Sequence, residues 1–240
     1  MTPDFLNHLE EFRKRLIVSI AAFLLCSIAA YFFSHQILNF LIAPLKRFHP
    51  VDLVFQRPYE AFLIHIKAAT IIGFLAASPV LFTQAWLFIK PGLYEHEKKL
   101  LTTLSLSSIV FFMVGAAFAY WVAIPYGLDF LLSYQTENLK PFIGVEAYFS
   151  FLTGMAAAFG LLFDFPIILI GLIKLRVIRT EAIAKARKPI IVVIFILAAV
   201  LTPSPDPISQ LILAIPLMLL FELSLLGGRF LERRQDSSKR

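Results

Sequence analysis

Long apolar blocks alternate with short polar segments along the chain, and this pattern predicts its elements. Six blocks can be drawn: Leu16–Phe33, Phe62–Trp86, Leu101–Ala123, Tyr148–Ile173, Ile190–Thr202 and Ile208–Leu226. The first four are long enough to cross about 30 Å of hydrocarbon as helices. Because the fifth covers only about 20 Å, residues 190–226 are interpreted as a hairpin whose first helix is short. The pattern therefore predicts an all-α, polytopic membrane protein with six transmembrane helices in a single domain, residues 1–240.

Short polar segments connect the blocks. Residues 34–61 and 124–147 are too short to form folded domains. Proline breaks helices, so Pro44, Pro50 and Pro58 are expected to divide the first of these loops into pieces, with a short interfacial helix around Gln36–Ile42. The proline-rich residues 203–207 predict a tight turn between the fifth and sixth helices.

Lysine and arginine placement predicts the orientation. One side of the predicted membrane carries 17 of these residues and the other carries four: Lys46, Arg47, Arg57 and Lys140. Because cytoplasmic loops carry the excess of positive charge, the crowded side and both termini are predicted to be cytoplasmic.

Composition agrees with a membrane protein. Only 16% of the residues are charged, against roughly a quarter in soluble domains. The net charge of +6 arises from basic residues beside the apolar blocks, so membrane topology accounts for it and no nucleic-acid partner is predicted. The single cysteine, Cys26, excludes a disulfide within the chain.

Two polar segments on the predicted cytoplasmic side could carry chemistry. The first, His8–Leu16, contains Glu10 and Glu11 and is either an amphipathic entry helix or a binding surface. In the second, Trp86–Lys99, the aromatic rings of Phe88 and Tyr94 lie near Glu95 and Glu97. Those carboxylates could stabilise the first turn of the third helix. They could equally bind a peptide that bears arginines, because carboxylates pair with guanidinium groups through two hydrogen bonds.

Other candidates lie within the apolar blocks. Asp164 is inside the fourth block, where a carboxyl group is costly and function is the default hypothesis. Lys67 lies in the second block, and its long stem could reach an interface. Asp206 could cap the sixth helix. Thr202 and Gln210 could instead offer hydrogen bonds to a foreign helix.

The sequence contains no motif that indicates an enzyme. It lacks a P-loop, a Gly-x-Ser-x-Gly elbow and a His-Glu-x-x-His metal site, and its five histidines are scattered. No catalytic residue, metal or cofactor is therefore predicted. An intramembrane hydrolase would need histidine near Glu10 and Glu11, but His35 lies some 30 Å away across the first span. A small-solute transporter could use Asp164 but would need a continuous polar pathway.

The chain resembles TatC, the multi-spanning subunit of the twin-arginine protein translocase. The matching segments run from the first helix to the last: His8–Leu16, Ile42–Leu45, Ala77–Leu81, Phe88–Lys98, Phe159–Pro166 and Leu201–Pro216. The Phe-x-x-Pro-x-Leu-Tyr-x-x-Glu loop that begins at Phe88 is the most specific of them. The resemblance implies a cup-shaped bundle of six helices in the cytoplasmic (inner) membrane of a bacterium or archaeon.

The resemblance also implies roles for individual residues. Signal peptides with paired arginines, on folded cargo proteins, would bind at the cytoplasmic face. Five residues would form that site: Glu97, Phe88, Glu11, Arg13 and Tyr94. Asp164 matches a membrane-embedded acidic position, usually glutamate. Single-span partner subunits of the TatA and TatB type would dock at Thr202, Gln210 and Asp206, and the proton gradient would drive export.

Overall fold

A computed structural model describes residues 3–48, 53–90, 98–133, 142–175, 177–201 and 207–237, and these residues are mostly helical. The helices are α1 (Pro3–Tyr31), α2 (Ser34–Phe48), α3 (Glu60–Ile89), α4 (Lys98–Phe118), a π-helical turn (Ala119–Ala123), α5 (Ile124–Leu132), α6 (Val145–Lys174), α7 (Thr180–Lys185), α8 (Arg187–Leu201) and α9 (Pro207–Ser237). Within the described residues, β structure is limited to an isolated parallel bridge between Val54 and Gly144. The predicted all-α fold is confirmed.

Four helical stretches of the described chain are long and apolar enough to cross a membrane. They are His8–Tyr31, Glu60–Ile89, Leu100–Leu132 and Val145–Lys174. The predicted polytopic membrane protein is thus confirmed. Helix α8 has 15 residues and spans about 22 Å at 1.5 Å per residue. Several helices extend past the predicted blocks, because polar residues at an apolar block's end continue the same helix.

The prediction that Pro44 breaks the first external loop is wrong, because α2 runs through this proline to Phe48. Packing outweighs the lost backbone hydrogen bond: Leu41 and Leu45 are buried on one face of α2. In addition, the Tyr148 hydroxyl at the start of α6 donates a 2.6 Å hydrogen bond to the Leu41 carbonyl. These contacts hold α2 in place around the proline.

The expectation of a loop directly after Ala123 is also wrong, because helix continues to Leu132. The Ile124 amide donates to the Ala119 carbonyl, five residues back, which makes a π turn. In a regular α-helix the ring of Pro125 would clash with a carbonyl in the preceding turn. The wider turn accommodates the proline without ending the helix.

A hydroxyl replaces the backbone donor that Pro79 lacks in the middle of α3. Without an N–H group, Pro79 cannot bond to the Leu75 carbonyl four residues earlier. The Ser78 hydroxyl donates to that carbonyl at 2.8 Å. Ser78 is fully buried, where an unsatisfied carbonyl would be costly. The serine therefore lets the proline stay inside the helix.

The chain divides into two compact units. The first comprises Met1–Val110 and Phe142–Ser150. In it α1 and α2 pack on α3, and the backbones of α1 and α3 come close at Gly73, where an added Cβ would lie 2.7 Å from the Ser27 nitrogen. Trp86 is buried and donates a 3.0 Å hydrogen bond to the Ser108 hydroxyl.

The second unit comprises Phe111–Pro141 and Phe151–Arg240. In it α9 packs against α8 and against the short α7. Its core includes a cluster of phenylalanines, with Phe118 5.3 Å from both Phe159 and Phe163 between ring centroids. The prediction of one single domain stays a prediction.

Candidate functional site

Phe88, a predicted site residue, lies against the N-terminal helix. Its ring centroid is 4.7 Å from that of His8 and 5.6 Å from that of Phe12. Since aromatic pairs favour tilted and edge-to-face arrangements at such distances, the three rings join the end of α3 to the start of α1. This contact brings Phe88 beside the segment that carries Glu11 and Arg13.

Glu11 forms an ion pair with Arg15, one turn further along α1. Arg15 Nη2 donates to Glu11 Oε1 at 3.1 Å, and the other terminal nitrogen, Nη1, donates to Gln84 Oε1 on α3, also at 3.1 Å. The side chains of Arg15 and Glu11 are 30% and 29% exposed. The guanidinium thus bridges a carboxylate on α1 and an amide on α3.

An open groove of about 510 Å³ lies over this bridge. It is lined by Glu10, Glu11, Lys14, Arg15, Val18 and Gln84. Lys14 Nζ is 3.4 Å from Glu10 Oε1, and both side chains are more than half exposed. The groove therefore presents two carboxylates, each beside a basic side chain, at the end of the first unit that is predicted to face the cytoplasm. Carboxylates of this kind pair with guanidinium groups through charge-assisted hydrogen bonds.

The structure describes only one of the other three residues predicted for this region. Arg13 is exposed on α1. Glu97 and Tyr94 lie outside the described residues, which resume at Lys98. Arg15 and Gln84 were missed as site residues. Arg15 could have been found from its four-residue spacing from Glu11, because side chains at that spacing on a helix can pair. Gln84 could not be found from the sequence alone, because its contact depends on how α1 and α3 pack.

Asp164 lies deep in the second unit and is only 4% exposed. Two glycines bring the neighbouring helices α4 and α6 close together one turn away. A Cβ added to Gly115 would lie 2.5 Å from the Phe159 carbonyl oxygen and 3.0 Å from the Gly160 Cα. Small residues are typical where transmembrane helices approach this closely. The aspartate is therefore part of a tightly packed helix crossing.

Gln210, predicted as a docking residue, bonds within the α8–α9 hairpin. Its Nε2 donates to the Phe195 carbonyl of α8 at 2.8 Å. Nearer the other end of the hairpin, the Arg187 guanidinium makes a two-pronged ion pair with the Glu222 carboxylate. Thr202 and Asp206 lie outside the described residues. Gln210 thus has a structural role in the hairpin, whatever else it binds.

Lys67 is paired with Glu146. This pair lies in the first unit, at the end that is predicted to face away from the cytoplasm. Lys67 Nζ is 2.9 Å from Glu146 Oε1 at the start of α6. In the preceding loop, Arg57 donates a 2.8 Å hydrogen bond to the Tyr59 hydroxyl, and this contact raises the pKa of Arg57 above its ordinary value. The Lys67 ammonium thus reaches a carboxylate rather than remaining in the apolar block.

The described residues contain no group of three or more His, Cys, Asp or Glu side chains that could hold a metal ion. His35 meets His65 edge-to-face, with 4.7 Å between ring centroids, and lies beyond the far end of α1 from Glu11. Tyr31, the last residue of α1, is twenty helical positions beyond Glu11, which is about 30 Å at 1.5 Å per residue. This geometry gives the intramembrane hydrolase alternative no support in the part of the chain that is described.

Comparisons with known proteins agree with one another. The family model described as "Sec-independent protein translocase protein (TatC)" matches residues 7–216. The TatC protein of Aquifex aeolicus (strain VF5) is 41% identical over 232 residues, which are 95% of this chain and 96% of that protein. The TatC protein of Magnetococcus marinus is 38% identical over 95% of this chain and 85% of its own length.

Two solved structures also resemble this chain. One is described as "Crystal Structure of Twin Arginine Translocase Receptor- TatC", is 42% identical and superposes with a TM-score of 0.80, covering 93% of this chain and 98% of its own. The other is the same receptor in DDM, also 42% identical, with a TM-score of 0.82 and coverage of 92% and 99%.

Proposed function

Because the chain belongs to the TatC family of Sec-independent protein translocase proteins, we propose that it is the receptor subunit that binds twin-arginine signal peptides of folded cargo at the cytoplasmic face. The observation that carries this proposal is the groove with two carboxylates, Glu10 and Glu11, at the junction of α1 and α3. Glu11 is part of that groove, and Phe88 joins the same end of α1 to α3. A peptide with two guanidinium groups can pair with carboxylates there through two-pronged hydrogen bonds.

The peptide would engage a composite surface. Glu97 is the principal carboxylate for the arginine pair, with Tyr94 in the same loop, and Glu11 and Arg13 belong to the neighbouring helix α1. Partial burial of Glu11, 29% exposed, supports a pairing stronger than that of a fully exposed ion pair. Phe88 offers apolar surface to residues of the peptide that flank the arginines.

The other predicted residues serve assembly in this proposal. Single-span subunits of the TatA and TatB type dock at the short hairpin, through Thr202, Gln210 and Asp206. The length of α8, 15 residues, supports this, because a short helix leaves a thinned bilayer that polar side chains can reach. Asp164, which is buried in the second unit, is the residue at the family's membrane-embedded acidic position.

The protein has no catalytic activity of its own in this proposal. It is a transport component of the cytoplasmic (inner) membrane of a bacterium or archaeon, and the proton gradient drives export. It uses no cofactor, and its ligands are signal peptides, partner subunits and lipid.

Cross-linking of a signal peptide to the full chain in membranes tests the receptor function. Changing Glu97 to Ala is expected to abolish cross-linking of a twin-arginine peptide, because its principal carboxylate is lost, while the protein still inserts. Glu95→Ala is the matched control, since it removes the same charge two residues away and is expected to retain cross-linking. Unchanged cross-linking in Glu97→Ala would refute the proposal, as would equal capture of a peptide with paired lysines.

A further inference from the structure

The groove that receives the signal peptide already contains a guanidinium group. Arg15 Nη2 lies 3.1 Å from Glu11 Oε1, within hydrogen-bonding distance of a carboxylate that the proposed function assigns to the ligand. An incoming arginine that pairs with Glu11 through two hydrogen bonds would need both carboxylate oxygens, including the Oε1 that Arg15 contacts. Arg15 and a ligand arginine therefore compete for one carboxylate.

Arg15 is held in this position from two sides. While Nη2 contacts Glu11 on its own helix, Nη1 donates to Gln84 Oε1 on α3 at 3.1 Å. The planar fork of arginine can serve two acceptors at once, whereas lysine is a point charge on a flexible stem. If Glu11 is taken by a ligand, Gln84 still holds Arg15 at the edge of the groove. The displaced side chain stays close enough to return.

From this geometry we infer that Arg15 is an affinity-determining residue of the signal-peptide site, a resident guanidinium that the ligand's arginine displaces from Glu11 and that recaptures the carboxylate when the ligand leaves. This inference rests on the proposed receptor function. Its consequence is weaker binding and faster release than Glu11 alone would give. A receptor that must pass its cargo onward benefits from such release.

Removing Arg15 should therefore tighten binding. An exposed or half-exposed ion pair contributes up to about 1 kcal/mol, so Arg15→Ala is expected to bind a twin-arginine peptide about threefold to fivefold more tightly. The gain should appear mainly as slower dissociation. A purely structural role for Arg15 predicts the opposite sign, since loss of a helix-stabilising pair would loosen the groove and weaken binding.

Two further variants separate competition from net charge. Lys14→Ala removes the same unit charge from the same groove, where Lys14 is paired with Glu10 and 69% exposed, and it reports the gain from losing one positive charge while Arg15 still holds Glu11. Arg15→Lys keeps the charge but lacks the planar, pre-organised fork that holds Glu11 and Gln84 together, so it is expected to bind about twofold more tightly than wild type. Arg15→Lys also keeps the test valid should Arg15→Ala fail to fold.

The experiment measures equilibrium and dissociation constants for purified full-length protein in lipid nanodiscs. The probes are a synthetic signal peptide with paired arginines and the same peptide with paired lysines. If wild type does not prefer arginine, the receptor function fails and this inference fails with it. If wild type prefers arginine but Arg15→Ala binds no more tightly than Lys14→Ala, or Arg15→Lys no more tightly than wild type, only the role of Arg15 is overturned.

Discussion

Replacing Gly115 with alanine should destabilise the second unit, because the new methyl group has no room. Its Cβ would lie 2.5 Å from the Phe159 carbonyl oxygen, 2.7 Å from the Phe163 Cβ and 3.0 Å from the Gly160 Cα. Ordinary contacts between carbon atoms are about 3.5–4.0 Å. Two of the three atoms are backbone, so a rotamer change cannot relieve the overlap and α4 and α6 must separate.

The magnitude follows from two opposing effects. Overpacking of a tight contact costs about 1–3 kcal/mol. Alanine is intrinsically the better helix residue by up to about 1 kcal/mol, which offsets part of that cost. The net expectation for Gly115→Ala is a loss of about 1–2 kcal/mol in the free energy of unfolding.

Gly154 in α6 provides the matched control, because a Cβ added there meets no heavy atom within 4 Å. Gly154→Ala is expected to be neutral, or stabilising by up to about 1 kcal/mol. The measurement is an unfolding titration with SDS in mixed micelles, followed by tryptophan fluorescence. If the two variants unfold at the same SDS fraction, close helix approach at Gly115 does not limit stability and the argument is refuted.

Two further predictions concern side-chain hydrogen bonds to backbone carbonyls, one within α3 and one between α8 and α9. Ser78→Ala should cost about 1 kcal/mol of unfolding free energy by orphaning the Leu75 carbonyl, and much less in a Pro79→Ala background, where a backbone N–H can take the serine's place. The same SDS titration of the double-mutant cycle measures this, and an equal cost in both backgrounds would contradict it. Gln210→Leu should destabilise by about 0.6 kcal/mol, and by at most about 1.7 kcal/mol, through loss of its bond to Phe195. Stability equal to wild type would show that this bond is not stabilising.

The helices were predictable because apolar blocks of membrane-spanning length leave the backbone few alternatives to helix. What could not be predicted was set by packing between segments distant in the chain. Pro44 reads as a helix breaker, but α2 continues because Leu45 is buried and Tyr148, more than a hundred residues away, anchors the Leu41 carbonyl. Likewise, the sequence around Pro125 contains no pattern that predicts the π turn before it.

The candidate site was partly predictable for a similar reason. Residue type and position, together with the resemblance, identified Glu11 and Phe88, and the structure places both where α1 meets the end of α3. The bridge from Arg15 to Gln84 joins residues 69 positions apart, so it depends on the register of two packed helices. Hydropathy determines that both helices form, but it does not determine that register.

The close approach of Ser27 to Gly73 gives α1 a pivot. Only 6% of the most apolar window of α1 is buried, against 39–50% for the other three candidate spans, so most of this window is exposed on the surface of the chain. Ser27 and Glu11 are sixteen positions apart, a lever arm of about 24 Å at 1.5 Å per residue. A tilt of about 5° at the pivot would move the end of α1 that carries Glu11 by roughly 2 Å over that length. A change in bilayer thickness that tilts this one helix would therefore move Glu11, the carboxylate that we propose binds the ligand's arginine.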